Sequence, residues 1–237
     1  MRRAGVVVGT LGILLAFSAC TPVVQQKVNT NVPVNTTSNE NVNTASLTVN
    51  ATTNLNTSPA PANTNASAVA ALVSPMDRRA ERVTKKMFGT YITPKTSPVQ
   101  PERFTGYHTG LDYETFPTEA KTEASVFAAC TGKVRALQTV SGYGGVLVQQ
   151  CVVAGQTVTA LYGHIRLSSV KVKVGTELKA GTQFAVLGTG FSSETGGERK
   201  HLHFSLHKGT AINWRGYVST KAALVDWLDP LLYLPKT

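Results

Sequence analysis

From about Thr90 onward the sequence predicts a compact all-β domain, and three observations predict it. Short β-rich runs recur at Ser125–Ala129, Lys133–Val140, Gly145–Val153, Thr157–Leu161 and Phe184–Leu187. Gly-containing turns separate these runs. Long amphipathic helices are missing: the charged segment Met76–Phe88 reads as a short helix or surface lead-in, and Thr220–Trp227 is a late helical candidate. A chain made of short strands buries its apolar faces by packing sheet against sheet. Nothing repeats at the period of a solenoid or propeller.

The preceding residues have a different character. Residues 1–20 carry Arg2 and Arg3, an apolar stretch from Ala4 to Phe17, and the small residues Ser18 and Ala19 before Cys20. That layout is a secretory signal and is set aside from the fold. The apolar run is shorter than the ~20 residues of a membrane-spanning helix. Phe17-Ser18-Ala19-Cys20 resembles a bacterial lipobox, in which the cysteine is acylated and becomes the new N-terminus; Phe17 stands where Leu is usual. The expectation is an extracytoplasmic chain anchored to the cell membrane through lipid on Cys20. Residues 21–75 are rich in Asn, Thr, Val, Ala, Ser and Pro, with no aromatic residue and almost no charge. Such a segment cannot bury enough apolar surface to offset its ordering entropy, so it reads as a disordered tether. Its r.m.s. reach as a coil is about 40 Å. Residues 76–237 remain as the folded domain.

The formal charge is +10, from 23 basic and 13 acidic residues, and removing Arg2 and Arg3 leaves +8. A basic surface favours anionic partners. In an exported chain these are cell-wall polymers or lipid headgroups, and nucleic acid is excluded by compartment. After Cys20 two cysteines remain, Cys130 and Cys151, on either side of the turn Ser141–Gly145. An exported domain with an even pair suggests a disulfide, with two buried free thiols as the alternative.

The chemistry rests on histidine. In Tyr107-His108-Thr109-Gly110-Leu111-Asp112, an imidazole and a carboxylate four residues apart can converge on one ion if the chain turns between them, and Gly110 permits a turn. Nitrogen plus carboxylate oxygen is a donor set that suits Zn²⁺. In His201-Leu202-His203-Phe204, strand alternation sends both imidazoles to one face, with Leu202 and Phe204 to the other. Leu161-Tyr162-Gly163-His164-Ile165 adds a third motif, whose weight comes from its company. His207 belongs to no motif and is peripheral.

With these motifs in this order, the chain resembles the lysostaphin/LytM-type zinc endopeptidases, which cut peptide cross-links in peptidoglycan. The resemblance runs from about Phe104 to Leu234 and includes Gly142-Tyr143-Gly144-Gly145 and Trp227-Leu228-Asp229-Pro230. The four-residue His-to-Asp spacing separates it from the related D-Ala-D-Ala carboxypeptidases, where the gap is longer. The resemblance implies a compact antiparallel β-sheet domain (duplicated hybrid motif) and one Zn²⁺ held by His108, Asp112 and His203. It makes His164 and His201 the catalytic pair that handles the proton and the developing charge. It also places a tyrosine near the reacting carbonyl; Tyr107 and Tyr162 lie beside the motifs, but that closeness does not assign the role. The substrate it implies is a peptidoglycan peptide, reached from the membrane through the N-terminal lipid. Two rivals stand beside this reading: a silent or latent LytM-like activator of cell-wall hydrolases, and a peptidase of secreted proteins. A purely structural zinc domain is disfavoured, because structural sites use four protein ligands and neither cysteine neighbours the histidines.

Overall fold

The computed structural model describes residues 72–236, so the signal segment, Cys20 and most of the tether lie outside the described residues. Packing already begins at Leu72, which is buried and donates its N–H to Tyr233 O, while Val73 donates to Ala129 O.

Among the described residues twelve strands follow in order: β1 (Tyr91–Ile92), β2 (Gly106–His108), β3 (Gly110–Glu114), β4 (Ser125–Phe127), β5 (Gly132–Val140), β6 (Gly144–Val153), β7 (Gln156–Ile165), β8 (Glu177–Leu178), β9 (Gln183–Val186), β10 (His201–Lys208), β11 (Tyr217–Val218) and β12 (Trp227–Leu228). A seven-stranded sheet runs β12-β10-β7-β6-β5-β8, with β3 also pairing to β10. β1, β2 and β11 form a second sheet, and β4 and β9 a third. The strand pairings among the described residues are antiparallel, in line with the expected antiparallel β-sheet domain.

Alternation decides the two faces of the large sheet. Leu202, Phe204 and Leu206 of β10, Leu111 and Tyr113 of β3, and Val158, Ala160 and Tyr162 of β7 enter the main core. The opposite face carries His201, His203 and Asp112, beside a smaller cluster of Ala136, Tyr143, Val146, Val148 and Leu161. The disulfide Cys130–Cys151 ties the bend before β5 to β6, with Cα atoms 6.1 Å apart.

Two local expectations change. The lead-in Met76–Phe88 contains a single α-turn, Arg79–Arg82, anchored by buried Arg82, which donates to Asp77 and Glu119. The candidate helix Thr220–Trp227 is instead a 3₁₀ segment, Lys221–Asp226, followed by β12. Trp227 leaves the helical path because it pairs with His207 of β10 and is buried there. Sheet pairing overrides a weak helical preference that local sequence alone suggested.

Candidate metal centre and active site

The first motif does not turn at Gly110. His108 ends β2 in the small sheet, and Gly110 opens β3 in the large one. Thr109 links them and donates its N–H to Gly216 O. The chain changes sheets over one residue, and that brings His108 and Asp112 together. Gly110 serves close approach instead: a Cβ there would lie 2.3 Å from Phe204 O of the paired strand.

Register supplies the rest. On β10, His203 faces Asp112 and His201 faces Glu114 of β3, while on the other side His203 faces Gly163 of β7. His164 arrives by a different route. Val158, Ala160 and Tyr162 alternate into the core, so simple alternation would bury position 164 there too. The β6–β7 register instead shifts between Gly145 and Val146, leaving His164 as an extra residue with φ 65°. Ile165 takes the core position and His164 is released to the site face. A left-handed φ on a non-glycine residue costs about 1–2 kcal/mol and recurs where function fixes a side chain.

Three donor atoms converge. His108 Nε2 lies 3.0 Å from His203 Nδ1 and 3.2 Å from Asp112 Oδ1, and His203 Nδ1 lies 3.2 Å from the same oxygen. All three residues are buried, and they form a group able to hold a metal ion. Tetrahedral Zn²⁺ with bonds of ~2.0–2.1 Å spaces its ligands ~3.3 Å apart, close to these separations. The protons fit as well. His108 Nδ1 faces Met87 O at 3.3 Å, which assigns its proton there and leaves Nε2 as a lone pair turned inward. Two imidazole nitrogens and a carboxylate oxygen meeting at one point call for a cation, so the residues present fit zinc.

The electrostatics agree. Burial alone would raise the Asp112 carboxyl, but His201 and His108 beside it hold it well below the usual carboxylate range. Burial lowers His203 to about 4, with Asp112 opposing. His164 is lowered well below the usual imidazole value by burial and by neighbouring His201 and His203, so it is neutral near pH 7. Its Nδ1 faces Thr195 O at 3.0 Å, which leaves Nε2 free to accept a proton. His201 is placed differently, since both its nitrogens face oxygen acceptors: Nδ1 meets Arg199 O at 2.9 Å and Nε2 meets Asp112 Oδ2 at 3.3 Å. The two rings lie 4.2 Å apart.

A cleft of about 300 Å³ opens over these groups, walled by Phe104, Trp214, Tyr143 and Tyr217. Its tyrosines are not the two beside the motifs. Tyr162 is in the core, where its Oη donates to Gln149 and accepts from Ala129 N–H, and Tyr107 packs on Tyr91. Tyr143 instead stands 5.3 Å from the His164 ring and 5.2 Å from the His203 ring. Its ring rests on Gly163, where a Cβ would come within 2.4 Å of it. Gly142 and Gly144 flank it with φ 83° and 70°, which makes the tight turn that aims it inward. Its Oη is buried with no hydrogen-bond partner among the described residues, and burial pushes its pKa up, so it stays a neutral donor. Tyr217 reaches the cleft from β11, and its Oη accepts from Lys86 Nζ at 3.0 Å. Lys86 is itself buried in an ion pair with Glu102.

Sequence reasoning missed Tyr143, Tyr217 and Arg199. The glycines around Tyr143 were the available signal for the first. Arg199 stands two residues before His201, on the period that joins His201 to His203. Tyr217 gives no local signal. His207 stays outside the site, edge-on to Trp227 at 4.9 Å.

Comparison with known proteins agrees with the histidine motifs. The family model for peptidase family M23 matches residues 106–214, a span holding His108, Asp112, His164, His201 and His203. Among solved structures the chain is similar to Helicobacter pylori Csd3, at 20% identity and TM-score 0.43, covering 70% of this chain and 35% of that one. It is also similar to the catalytic domain of lysostaphin from Staphylococcus simulans, at 22% identity and TM-score 0.42, covering 62% of this chain and 87% of that one. LytU aligns at 24% identity and TM-score 0.40, covering 62% and 82%. A search of curated proteins found no match. Residues 106–214 thus match peptidase family M23, with all five motif side chains inside the matched span.

Proposed function

We propose that the domain is a zinc-dependent endopeptidase that hydrolyses peptide bonds in peptidoglycan cross-links or stems, tethered to the cell envelope through lipid on Cys20. The observation that carries this reading is the convergence of His108 Nε2, Asp112 Oδ1 and His203 Nδ1 within 3.0–3.2 Å of one another, with His164 and His201 alongside.

His108, Asp112 and His203 would hold the ion. When bound, it supplies Lewis acidity, making water a nucleophile near neutral pH and polarising the scissile carbonyl. His164 Nε2 is free, because Nδ1 is committed to Thr195 O, and it accepts the proton of the attacking water. Tyr143 Oη, without a partner among the described residues, donates to the carbonyl oxygen as charge develops there. His201 holds Asp112 Oδ2 through Nε2 and stands beside the His164 ring at the reacting centre. The aromatic walls exclude bulk water and align an extended peptide. The basic surface and the tether favour an anionic, wall-bound substrate.

The test incubates purified protein with peptidoglycan, with and without a chelator, and identifies released fragments by mass spectrometry. Chelator-sensitive release of peptide-cleaved fragments is expected. Bound zinc with no cleavage of peptidoglycan or model peptides would overturn the reading in favour of a silent regulator. Cleavage of soluble proteins alone would move the substrate away from the wall.

A further inference from the structure

We propose that Arg199 is a positioning residue that fixes the Asp112 carboxylate so that one oxygen, Oδ1, is presented to the metal. The inference rests on the metal-site reading above and concerns a residue outside the histidine motifs.

Strand alternation puts Asp112 and Glu114 on one face of β3. Arg199 lies two residues before His201, just ahead of β10, and reaches across to both carboxylates. Its Nη2 donates to Asp112 Oδ2 at 2.9 Å and to Glu114 Oε1 at 2.6 Å, and its Nε donates to Glu114 Oε2 at 3.0 Å. The grip on Glu114 is two-pronged, so the guanidinium is held in plane before it meets Asp112. His201 Nε2 meets the same Oδ2 at 3.3 Å. The two oxygens of Asp112 are thereby divided: Oδ2 belongs to Arg199 and His201, and Oδ1 faces His108 and His203.

A carboxylate released from this grip can rotate and offer both oxygens, or neither, to the ion. Groups that orient a ligand in this way are worth about 10–100-fold in metal affinity. Two physical effects oppose one another at this residue, and their signs differ. Arg199 is a cation near a cation site, so pure electrostatics predicts tighter metal binding when its charge is removed. Positioning predicts weaker binding, and predicts it also for Lys, which keeps the charge but lacks the planar fork.

The experiment measures zinc affinity of the purified full chain by competition with a chelating dye, for wild type, Arg199→Gln and Arg199→Lys. Thermal denaturation confirms folding, and the absorption spectrum of the Co²⁺-loaded protein reports the ligand geometry. The expected result is a 10–100-fold loss of zinc affinity in both variants, with an altered cobalt spectrum. If Arg199→Gln fails to fold, Arg199→Lys decides, since it retains the charge opposite Glu114. Should neither fold, Glu114→Gln loosens the anchor while leaving Arg199 on Asp112, and unchanged affinity and spectrum there would overturn the proposal. Equal or tighter zinc binding in a folded Arg199 variant, with a native cobalt spectrum, would also overturn it while leaving the metal site standing. A wild-type chain that binds neither zinc nor cobalt would remove the metal-site reading and this one with it.

Discussion

Tyr143→Phe separates catalysis from stability with a single oxygen atom. The ring would keep its seat on Gly163 and its contacts with His164 and His203. The Oη is buried and has no partner among the described residues, and such a group costs about 1–3 kcal/mol in the folded state. Its removal should therefore leave stability unchanged or raise it by ~1 kcal/mol, a rise in Tm of about 2–4 °C for a domain of this size. The rate should move the other way. A donor aimed at developing carbonyl charge is worth about 2.7–4 kcal/mol, so kcat should fall by 10²–10³-fold. KM should barely change, because the bond strengthens only in the transition state. Peptide hydrolysis kinetics and a thermal melt on the same preparation check both halves. A kcat within twofold of wild type would refute the donor role. A Tm lowered by more than ~4 °C would show that Oη has a structural partner after all.

The remaining predictions concern the frame around the site. His203→Ala should lose stoichiometric zinc, measured by metal analysis after dialysis; retention of one ion per chain would refute the ligand assignment. Cys130→Ala with Cys151→Ala opens a 21-residue loop and should cost about 3 kcal/mol in urea denaturation. Glu102→Gln leaves Lys86 buried without its counter-charge and should cost about 3–5 kcal/mol. Burial alone would raise the Glu102 carboxyl, but the Lys86 ammonium and the Phe104 N–H hold it below the usual value. Its stabilising contribution is therefore complete above the unfolded carboxylate pKa of ~4.3 and is lost as pH falls through the lower folded value. Wild type should lose stability on acidification below about pH 5, and Glu102→Gln should show a shallower acid limb in pH-dependent melts.

Much of the site was legible because strand chemistry is periodic. The step of two in His201-Leu202-His203-Phe204 puts two imidazoles on one face of the strand and two apolar anchors in the core. The same step extended outward would have pointed to Glu114 and Arg199. The all-β class was legible from short runs and turns, because each run already carries its own burial pattern. The late helix failed for the converse reason: six residues of 3₁₀ structure carry little intrinsic preference, and the pairing of Trp227 with His207 decides where they stop.

Side-chain type and local alternation were enough to mark the residues capable of the chemistry and the strands that carry them, and composition was enough to mark where strand-forming sequence begins. Tertiary structure alone decided how they meet. His108 and Asp112 converge through a change of sheet at Thr109, and His164 turns toward them because one residue too many stands opposite Gly145 and Val146. Tyr217 arrives from a strand more than a hundred residues after His108 and pairs directly with it. Such contacts join residues distant along the chain, and their geometry is fixed by which strands pair and in what register, a property no local pattern carries.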